Sequence, residues 1–200
     1  MRQSIDRFKS EVIDRGALAR PNLFRVNIDF PNQVKRIRSG QGLQSGGYSN
    51  GVTKLAEFTV RAAQLPSTNM GVVEVPYRGR TLKIAGDRSF EPWTITVLND
   101  QDMELRSAFE IWISMMQDPD TNFSRLGIRD GVDSVYKNMS VEQLSRTKGN
   151  DDGAKTIKKY EFQHCYPSSI SSIDLDWGSN DAIQEFTVEM QIVYWNRKNR

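Results

Sequence analysis

The chain has 200 residues, of which 38% are hydrophobic and 26% charged, a composition typical of one globular domain. The formal net charge is only +2, from 27 basic and 25 acidic residues, and does not indicate a dedicated nucleic-acid binder. One Cys and one His exclude an intramolecular disulfide framework and a multi-Cys or multi-His metal site. No apolar run approaches the roughly 18 residues that a membrane helix needs. The charged N-terminus lacks the apolar segment of a signal peptide, so we expect a cytoplasmic protein without membrane contact.

The first 54 residues are predicted to contain an arm, a strand and a loop. In the arm, residues 1–20, the spacing of Ile5, Phe8 and Val12 predicts a short amphipathic helix or a docking segment. Residues 23–30 alternate between apolar and polar side chains, which predicts a half-buried strand. Residues 31–54 are rich in glycine and lack acidic residues, and we predict a mobile basic loop that contains Lys35, Arg36 and Arg38.

The middle of the chain is predicted to form strands followed by one helix. Residues 55–64 have strand character, residues 70–86 predict a hairpin that turns at Arg78, Gly79 and Arg80, and residues 93–98 predict a further strand. The helix is indicated by the spacing of four apolar residues, with Asn99 or Asp100 as its cap and Asp118-Pro119 as its end. Those four residues are Leu105, Phe109, Trp112 and Met116.

The C-terminal half is predicted to be irregular at first and then to form strands. Residues 118–153 are polar and glycine-punctuated, whereas residues 155–166 and 172–177 predict strands, the latter with Trp177 facing inward. Residues 183–195 predict the longest strand, and residues 196–200 form a basic tail. Together the pattern predicts a single, mainly β domain: an antiparallel sandwich or barrel with one flanking α-helix and extended loops and termini.

No set of residues indicates catalysis. His164 and Cys165 are adjacent on a predicted strand, so they point to opposite faces and cannot act on each other. Asp174 and Asp176 could hold a divalent cation, but the simpler interpretation is the solvent face of a strand. We therefore predict that the protein is not an enzyme and requires no cofactor.

Charge is segregated along the chain. Residues 173–189 contain acidic but no basic residues, whereas residues 35–38, 155–159 and 197–200 are basic. With a net charge near zero, this pattern fits self-association at least as well as nucleic-acid binding. Strand edges in a β protein must be covered, closed or paired with another chain, and pairing between identical subunits is one solution.

Several segments, in this order and spacing, resemble the tail tube proteins of T4-like contractile-tailed bacteriophages. They are residues 19–24 (ARPNLF), 63–66 followed by the hairpin through Pro76, 85–90 (AGDRSF), 93–97 (WTITV), Asn99-Asp100, Tyr166-Pro167, 175–177 (LDW), Ser179-Asn180, Ile183-Gln184, Phe186 and Tyr194-Trp195. The resemblance covers residues 17–195. Residues 31–54, which look like an insertion, residues 118–153 and the longer basic tail depart from it.

The resemblance implies a tube subunit of a virion, assembled in the bacterial host cytoplasm. Six subunits would form a ring, rings would stack into the inner tail tube, and neighbouring sheets would join into one barrel around the lumen through which DNA is ejected. The partners implied are other copies of the chain, the tail sheath, baseplate and tail-terminator proteins, and double-stranded DNA in transient, non-specific passage. The hairpin would reach the adjacent ring through Val73, Val75, Tyr77, Arg78 and Arg80.

The lumen or a subunit interface is expected to be polar, because a DNA conduit must not bind the polyanion that it guides. The alternation of polar residues marks six candidates for this face: Glu57, Thr59, Glu185, Thr187, Glu189 and Gln191. The basic loop with Lys35, Arg36 and Arg38 is then expected to face outward, towards the sheath.

Three alternatives remain open. A tube protein of a type VI secretion system or a related contractile injection system has the same physical features. A tube-like baseplate protein is expected to be longer. A carbohydrate-binding β-sandwich would use Trp93, Trp112, Trp177 or Trp195 with the Asp pair, but Trp112 and Trp177 fall on predicted apolar faces, which favours a place in the core.

Overall fold

Antiparallel strands dominate the part of the chain that the computed structural model describes, which comprises residues 4–14, 18–32, 34, 51–124, 135–148 and 154–198. The helices are α1 (Ile5–Asp14), α2 (Gly51–Thr59) and α3 (Glu104–Met116). The strands are β1 (Phe24–Ile28), β2 (Val60–Ala63), β3 (Asn69–Tyr77), β4 (Arg80–Ser89), β5 (Trp93–Leu98), β6 (Lys137–Lys148), β7 (Ala154–Ile170), β8 (Glu185–Gln191) and β9 (Tyr194–Lys198).

Seven strands form a continuous sheet that folds over itself along the 17-residue strand β7. The strand order is β1-β6-β7-β8-β5-β2, and β9 also pairs with β7. The first part of β7 pairs with β6 and β9, and its last residues, 166–170, pair with β8. Between the two parts, His164 has a positive φ of 54°, where the strand changes direction. We call β1, β6, β9 and the first part of β7 sheet I, and residues 166–170, β8, β5 and β2 sheet II.

The core lies between the two sheets and α3. Alternate residues of β5 and β8 pair directly across sheet II and are buried: Trp93 with Met190, Ile95 with Val188 and Val97 with Phe186. In sheet I the buried residues include Val26, Ile28, Val141 and Phe162. Helix α3 covers this layer with Leu105, Phe109 and Trp112, as the helical spacing predicted. The prediction of a mainly β, antiparallel fold with this flanking helix is thereby confirmed.

The start of α3 follows the predicted capping chemistry with one difference. The Asp100 carboxylate accepts a hydrogen bond from the Glu104 amide at 3.1 Å. Met103, however, occupies the left-handed region with a φ of 51°, so the helix begins at Glu104 and not directly after Asp100. At the other end Met115 is buried and Met116 only half-buried.

Residues 55–64 were wrongly predicted as a strand. Residues 51–59 form α2, and only residues 60–63 form the strand β2. Ala56 is buried and Leu55 and Val52 pack against the core, so the segment buries a helical face. A short apolar run does not distinguish a helix from a strand by itself. The predicted basic loop 31–54 thus loses residues 51–54 to α2, and Lys35, Arg36 and Arg38 lie outside the described residues.

Three predictions for the C-terminal half also need correction. The region 118–153, predicted to be irregular, contains the twelve-residue strand β6, which pairs with β1 on one side and β7 on the other. The predicted longest strand, 183–195, is two shorter strands separated at residues 192–193, and β7 is longer. Residues 196–198 of the predicted tail belong to β9.

Candidate assembly surfaces

Sheet II has a polar face on the side away from the core. Glu185, Thr187, Glu189 and Gln191 alternate with the buried residues of β8 and therefore share this face. Strand β5 adds Thr94 opposite Glu189 and Thr96 opposite Thr187. Four of the six predicted candidate residues are thus brought together, and the same register adds the apolar Leu98 and Ala62 to this side.

The charges on the polar face are few. Arg61 of β2 forms an ion pair with Glu185, and both side chains are exposed. Glu189 has no cation within ion-pair distance among the described residues. One balanced pair and one free carboxylate leave the face slightly acidic.

The other two candidates, Glu57 and Thr59, lie elsewhere. Both belong to α2, so the strand alternation that suggested them does not exist. The Glu57 carboxylate pairs with Arg25 of β1 at 3.0 Å, and the Thr59 hydroxyl donates a hydrogen bond to the Leu55 carbonyl within its own helix. They do not share a face with the residues of β8.

Sheet II ends in two unpaired edges. Among the described strands, none pairs with the outer edge of β2 or with the edge of residues 166–170 that faces away from β8. Each successive pair of strands in this sheet is antiparallel. Because the sheet has four strands, its two edges run in opposite directions. An unpaired edge exposes backbone donors and acceptors to which another chain can bind.

The predicted hairpin is present as β3 and β4, which extend slightly beyond the predicted range, and it projects from the body of the protein. It turns at Arg78 and Gly79, which both have positive φ, 44° and 79°, as a two-residue type I′ turn requires. Cross-strand pairing places five apolar side chains on one face, each between 42% and 67% exposed. These residues, which we call the apolar hairpin face, are Val73, Val75, Tyr77, Leu82 and Ile84.

Hydrogen bonds fix the base of the hairpin to the sheets. The indole of Trp93 donates to the Gln64 carbonyl at 2.7 Å, and that of Trp195 donates to the Ser67 carbonyl at 3.0 Å. The Glu91 carboxylate accepts from the Ser67 hydroxyl and from the Asn69 amide. These two hydrogen bonds, that from Ser67 first, lower the pKa of Glu91 below its ordinary value.

A cation–π stack supports the same base. The Arg88 guanidinium lies 4.8 Å from the ring centroids of both Phe90 and Trp195. Close by, a Cβ at Gly86 would come within 3.1 Å of the Gly71 backbone, so a side chain there would have to displace the facing strand by a few tenths of an ångström. The exposed hairpin is thus held at its base, while its apolar face is not covered by the described chain.

The segment between β7 and β8, residues 171–184, is not the strand that the sequence predicts. It has no strand pairing, and Leu175, Trp177 and Ile183 are exposed, Trp177 completely (101%). Trp177 therefore does not belong to the core, whereas Trp112 does (0% exposed). The alternation of residues 172–177 was misleading because none of the described strands pairs with this segment. We call this segment the acidic loop, since it contains three Asp and no Lys or Arg.

Helix α1 carries a second uncovered apolar stripe. The Ser4 hydroxyl accepts a hydrogen bond from the Arg7 amide at its start, which confirms the predicted short helix. Ile5 and Phe8 are nevertheless more than 60% exposed.

The residues considered for catalysis or metal binding do not form a site. Cys165 is buried, and burial raises the pKa of its thiol to about 12. Asp174 and Asp176 lie in the acidic loop, where the Asp176 carboxylate accepts the Gly178 amide at 3.0 Å and shapes a turn. Within the described residues there is no cluster of three potential metal ligands, and no helix is long and apolar enough to cross a membrane.

A family profile and two curated relatives match most of the chain. A profile of the family described as "Phage tail tube protein" matches residues 19–198. The chain belongs to the phage tail tube family. It is 30% identical to tail tube protein gp19 of Enterobacteria phage T4 over 188 residues, which cover 93% of this chain and 96% of the relative. It is 24% identical to the tail tube protein of Serratia phage KSP90, with 94% and 93% covered.

Solved structures share the fold of this tail tube protein. A chain of the anti-feeding prophage baseplate matches with a TM-score of 0.56 at 14% identity, covering 92% of this chain and 97% of that chain. A chain of the sheath–tube complex of an extracellular contractile injection system matches with a TM-score of 0.53 at 14% identity over the whole of both chains. The resemblance noted from the sequence is confirmed. The protein is a structural component of a contractile-tailed bacteriophage virion and not an enzyme, and membership of this family argues against the carbohydrate-binding alternative.

Proposed function

We propose that this tail tube protein forms six-membered rings that stack into the inner tail tube and that the tube conducts double-stranded DNA. The observation that carries the proposal is the pair of opposite edges of sheet II. A rotation about a tube axis leaves strand direction unchanged, so residues 166–170 of one subunit meet β2 of the next in antiparallel orientation. Head-to-tail pairing of this kind closes a ring and satisfies both edges.

The size of such a barrel suits a conduit. Six copies of a four-stranded sheet give roughly two dozen strands, which at about 4.8 Å spacing and about 40° tilt enclose a backbone diameter of roughly 50 Å. The polar face of sheet II then lines the lumen, because the opposite face packs on the core. Its Thr residues and Glu189 carry no positive charge, and Arg61, the cation that we found on this face among the described residues, is paired with Glu185, so the passing duplex is not held by counterion release.

The other contacts of the proposed assembly follow from the exposed elements. The hairpin, with Val73, Val75, Tyr77, Arg78 and Arg80, reaches the adjacent ring. The outer surface of the tube, including the basic loop with Lys35, Arg36 and Arg38, faces the sheath. The baseplate and terminator proteins contact the two ends of the tube, as the complexes of the structural neighbours suggest by their composition. Assembly takes place in the host cytoplasm.

Electron microscopy of the purified protein, and of tails assembled in the host, tests the ring and the tube. We expect six-fold rings and hollow tubes; a protein that remains monomeric even on a baseplate that nucleates tubes would refute the proposal.

The lumen assignment has its own test. The double variant T187K/E189K adds positive charge to the polar face and leaves the Arg61–Glu185 ion pair intact. We expect normal tubes with impaired DNA delivery, because phosphate contacts retard the duplex. The matched control Q101K/D102K adds the same three charges at two exposed residues outside this face and is expected to deliver DNA normally. Unimpaired delivery by T187K/E189K would show that the face does not line the conduit.

A further inference from the structure

The hairpin and the acidic loop leave sheet II at opposite ends. The hairpin joins the end of β2 to the start of β5, where Trp93 pairs with Met190. The acidic loop joins the end of β7 to the start of β8, where Glu185 pairs with Leu98. The six residues of β5 separate the two ends by about 20 Å. Within the described chain both surfaces remain exposed at these opposite ends. A shift of one subunit along the strand direction would bring the hairpin of one copy to the loop of another.

Both surfaces expose large apolar side chains, and no described part of the chain covers them. The apolar hairpin face has five large side chains with 42–67% exposure, and the acidic loop exposes Leu175, Trp177 and Ile183 by 73% or more. A two-stranded hairpin is only marginally stable in water without a partner surface. Exposed apolar patches of this extent mark interaction sites.

The charges of the two surfaces are complementary. The hairpin, residues 69–89, has four basic and two acidic residues. Arg78 and Arg80 lie at its tip, and Arg80 shares the apolar hairpin face opposite Tyr77. The acidic loop has Asp174, Asp176 and Asp181 and no basic residue. Arginine beside an exposed indole also favours a cation–π contact, and opposite charges at the rim fix the register of docking.

From this placement we infer that the acidic loop is the receptor for the hairpin of a second copy of the chain in the adjacent ring. The inference rests on the proposed function and specifies the contact by which rings stack. It is a heterologous contact between two different surfaces of the same chain, and such contacts repeat without end along an axis. Tube growth then requires no additional linking protein.

Cysteine cross-linking tests this contact in assembled tubes, either grown from purified protein or isolated from tails. The native Cys165 is buried and does not compete. The double variant L82C/L175C places one thiol on the hairpin and one on the loop. Oxidation should produce a ladder of covalently linked subunits along the tube.

The single variants should give no ladder, and neither should L82C/F123C, whose Phe123 is equally exposed but lies outside the loop. We expect the L82C/L175C yield to exceed the L82C/F123C yield by about tenfold or more, because docking raises the effective concentration of the thiols.

A charge exchange provides the second measurement. R80E and D174R should each reduce tube assembly, and the combination R80E/D174R in one chain should restore it. Asp174 is preferred to Asp176, whose carboxylate shapes the loop. Intact tubes without the L82C/L175C ladder would overturn the inference and leave the proposed function in place. Failure of the wild-type protein to form tubes on a nucleating baseplate would overturn both.

Discussion

Trp177 allows the stability of the subunit to be separated from its assembly. Its indole is completely exposed, so W177A should leave the free energy of unfolding of the isolated chain within about 0.5 kcal/mol of the wild type. In an interface the same side chain would bury about 200 Å², worth up to about 5 kcal/mol at about 25 cal/mol per Å². Loss of most of this energy lowers the affinity of each ring-to-ring contact by roughly a thousandfold. W177A should therefore fold normally and fail to form tubes.

The assay combines urea unfolding, followed by circular dichroism, with sedimentation and electron microscopy. The matched control is W112F, because Trp112 is fully buried and donates a hydrogen bond to the Val135 carbonyl at 3.0 Å. Loss of that donor leaves the carbonyl unsatisfied and should destabilise the subunit by about 1–3 kcal/mol. Destabilisation of the isolated chain by more than about 1 kcal/mol in W177A would refute the exposed position of the indole. Normal tubes in W177A would refute its role in assembly.

Three further predictions concern the hairpin and the core. The pKa of Glu91 is lowered. Its hydrogen bonds with Ser67 and Asn69 are therefore fully formed above the ordinary value of 4.5 and are lost as the pH falls through the lower folded-state pKa. The side-chain amide resonances of Asn69 should accordingly titrate with a midpoint below 4.5 and become invariant in E91Q. Native Cys165 should resist iodoacetamide at pH 8 and react after unfolding; rapid labelling of the native protein would contradict its burial. G86A should distort the hairpin, because the new Cβ meets the Gly71 backbone at 3.1 Å; it should impair stacking with little change in thermal stability, and normal tubes would contradict this.

The periodicity of apolar residues was sufficient to predict the buried face of a helix or strand that packs one side against the core. The alternation of β5 and β8 predicts their buried faces, and the spacing of Leu105, Phe109 and Trp112 predicts the covered face of α3. The hairpin follows from its turn residues, and the tail tube family follows from short segments in a fixed order. For the same reason, four residues of the polar face could be identified from the sequence of β8.

Periodicity failed wherever distant partners determine the structure. Strand β6 was missed because its pairing with both β1 and β7 stabilises a largely polar segment. Helix α2 was mistaken for a strand because nine residues are too few for their apolar spacing to show which side of the segment, with Ala56, is buried. Glu57 and Thr59 were consequently assigned to the wrong surface.

The sequence by itself determined that this protein is a mainly β tail tube subunit with one polar sheet face and an exposed hairpin. Only the tertiary structure decided which apolar residues remain uncovered. Residues 172–177 alternate as regularly as β5, yet Trp177 is exposed and Trp93 is buried. Burial depends on whether another element packs over a residue, and the order of the strands in the folded sheet determines which residues are covered in this way. The same strand order places the hairpin and the acidic loop at opposite ends of sheet II, where both stay exposed in the described chain.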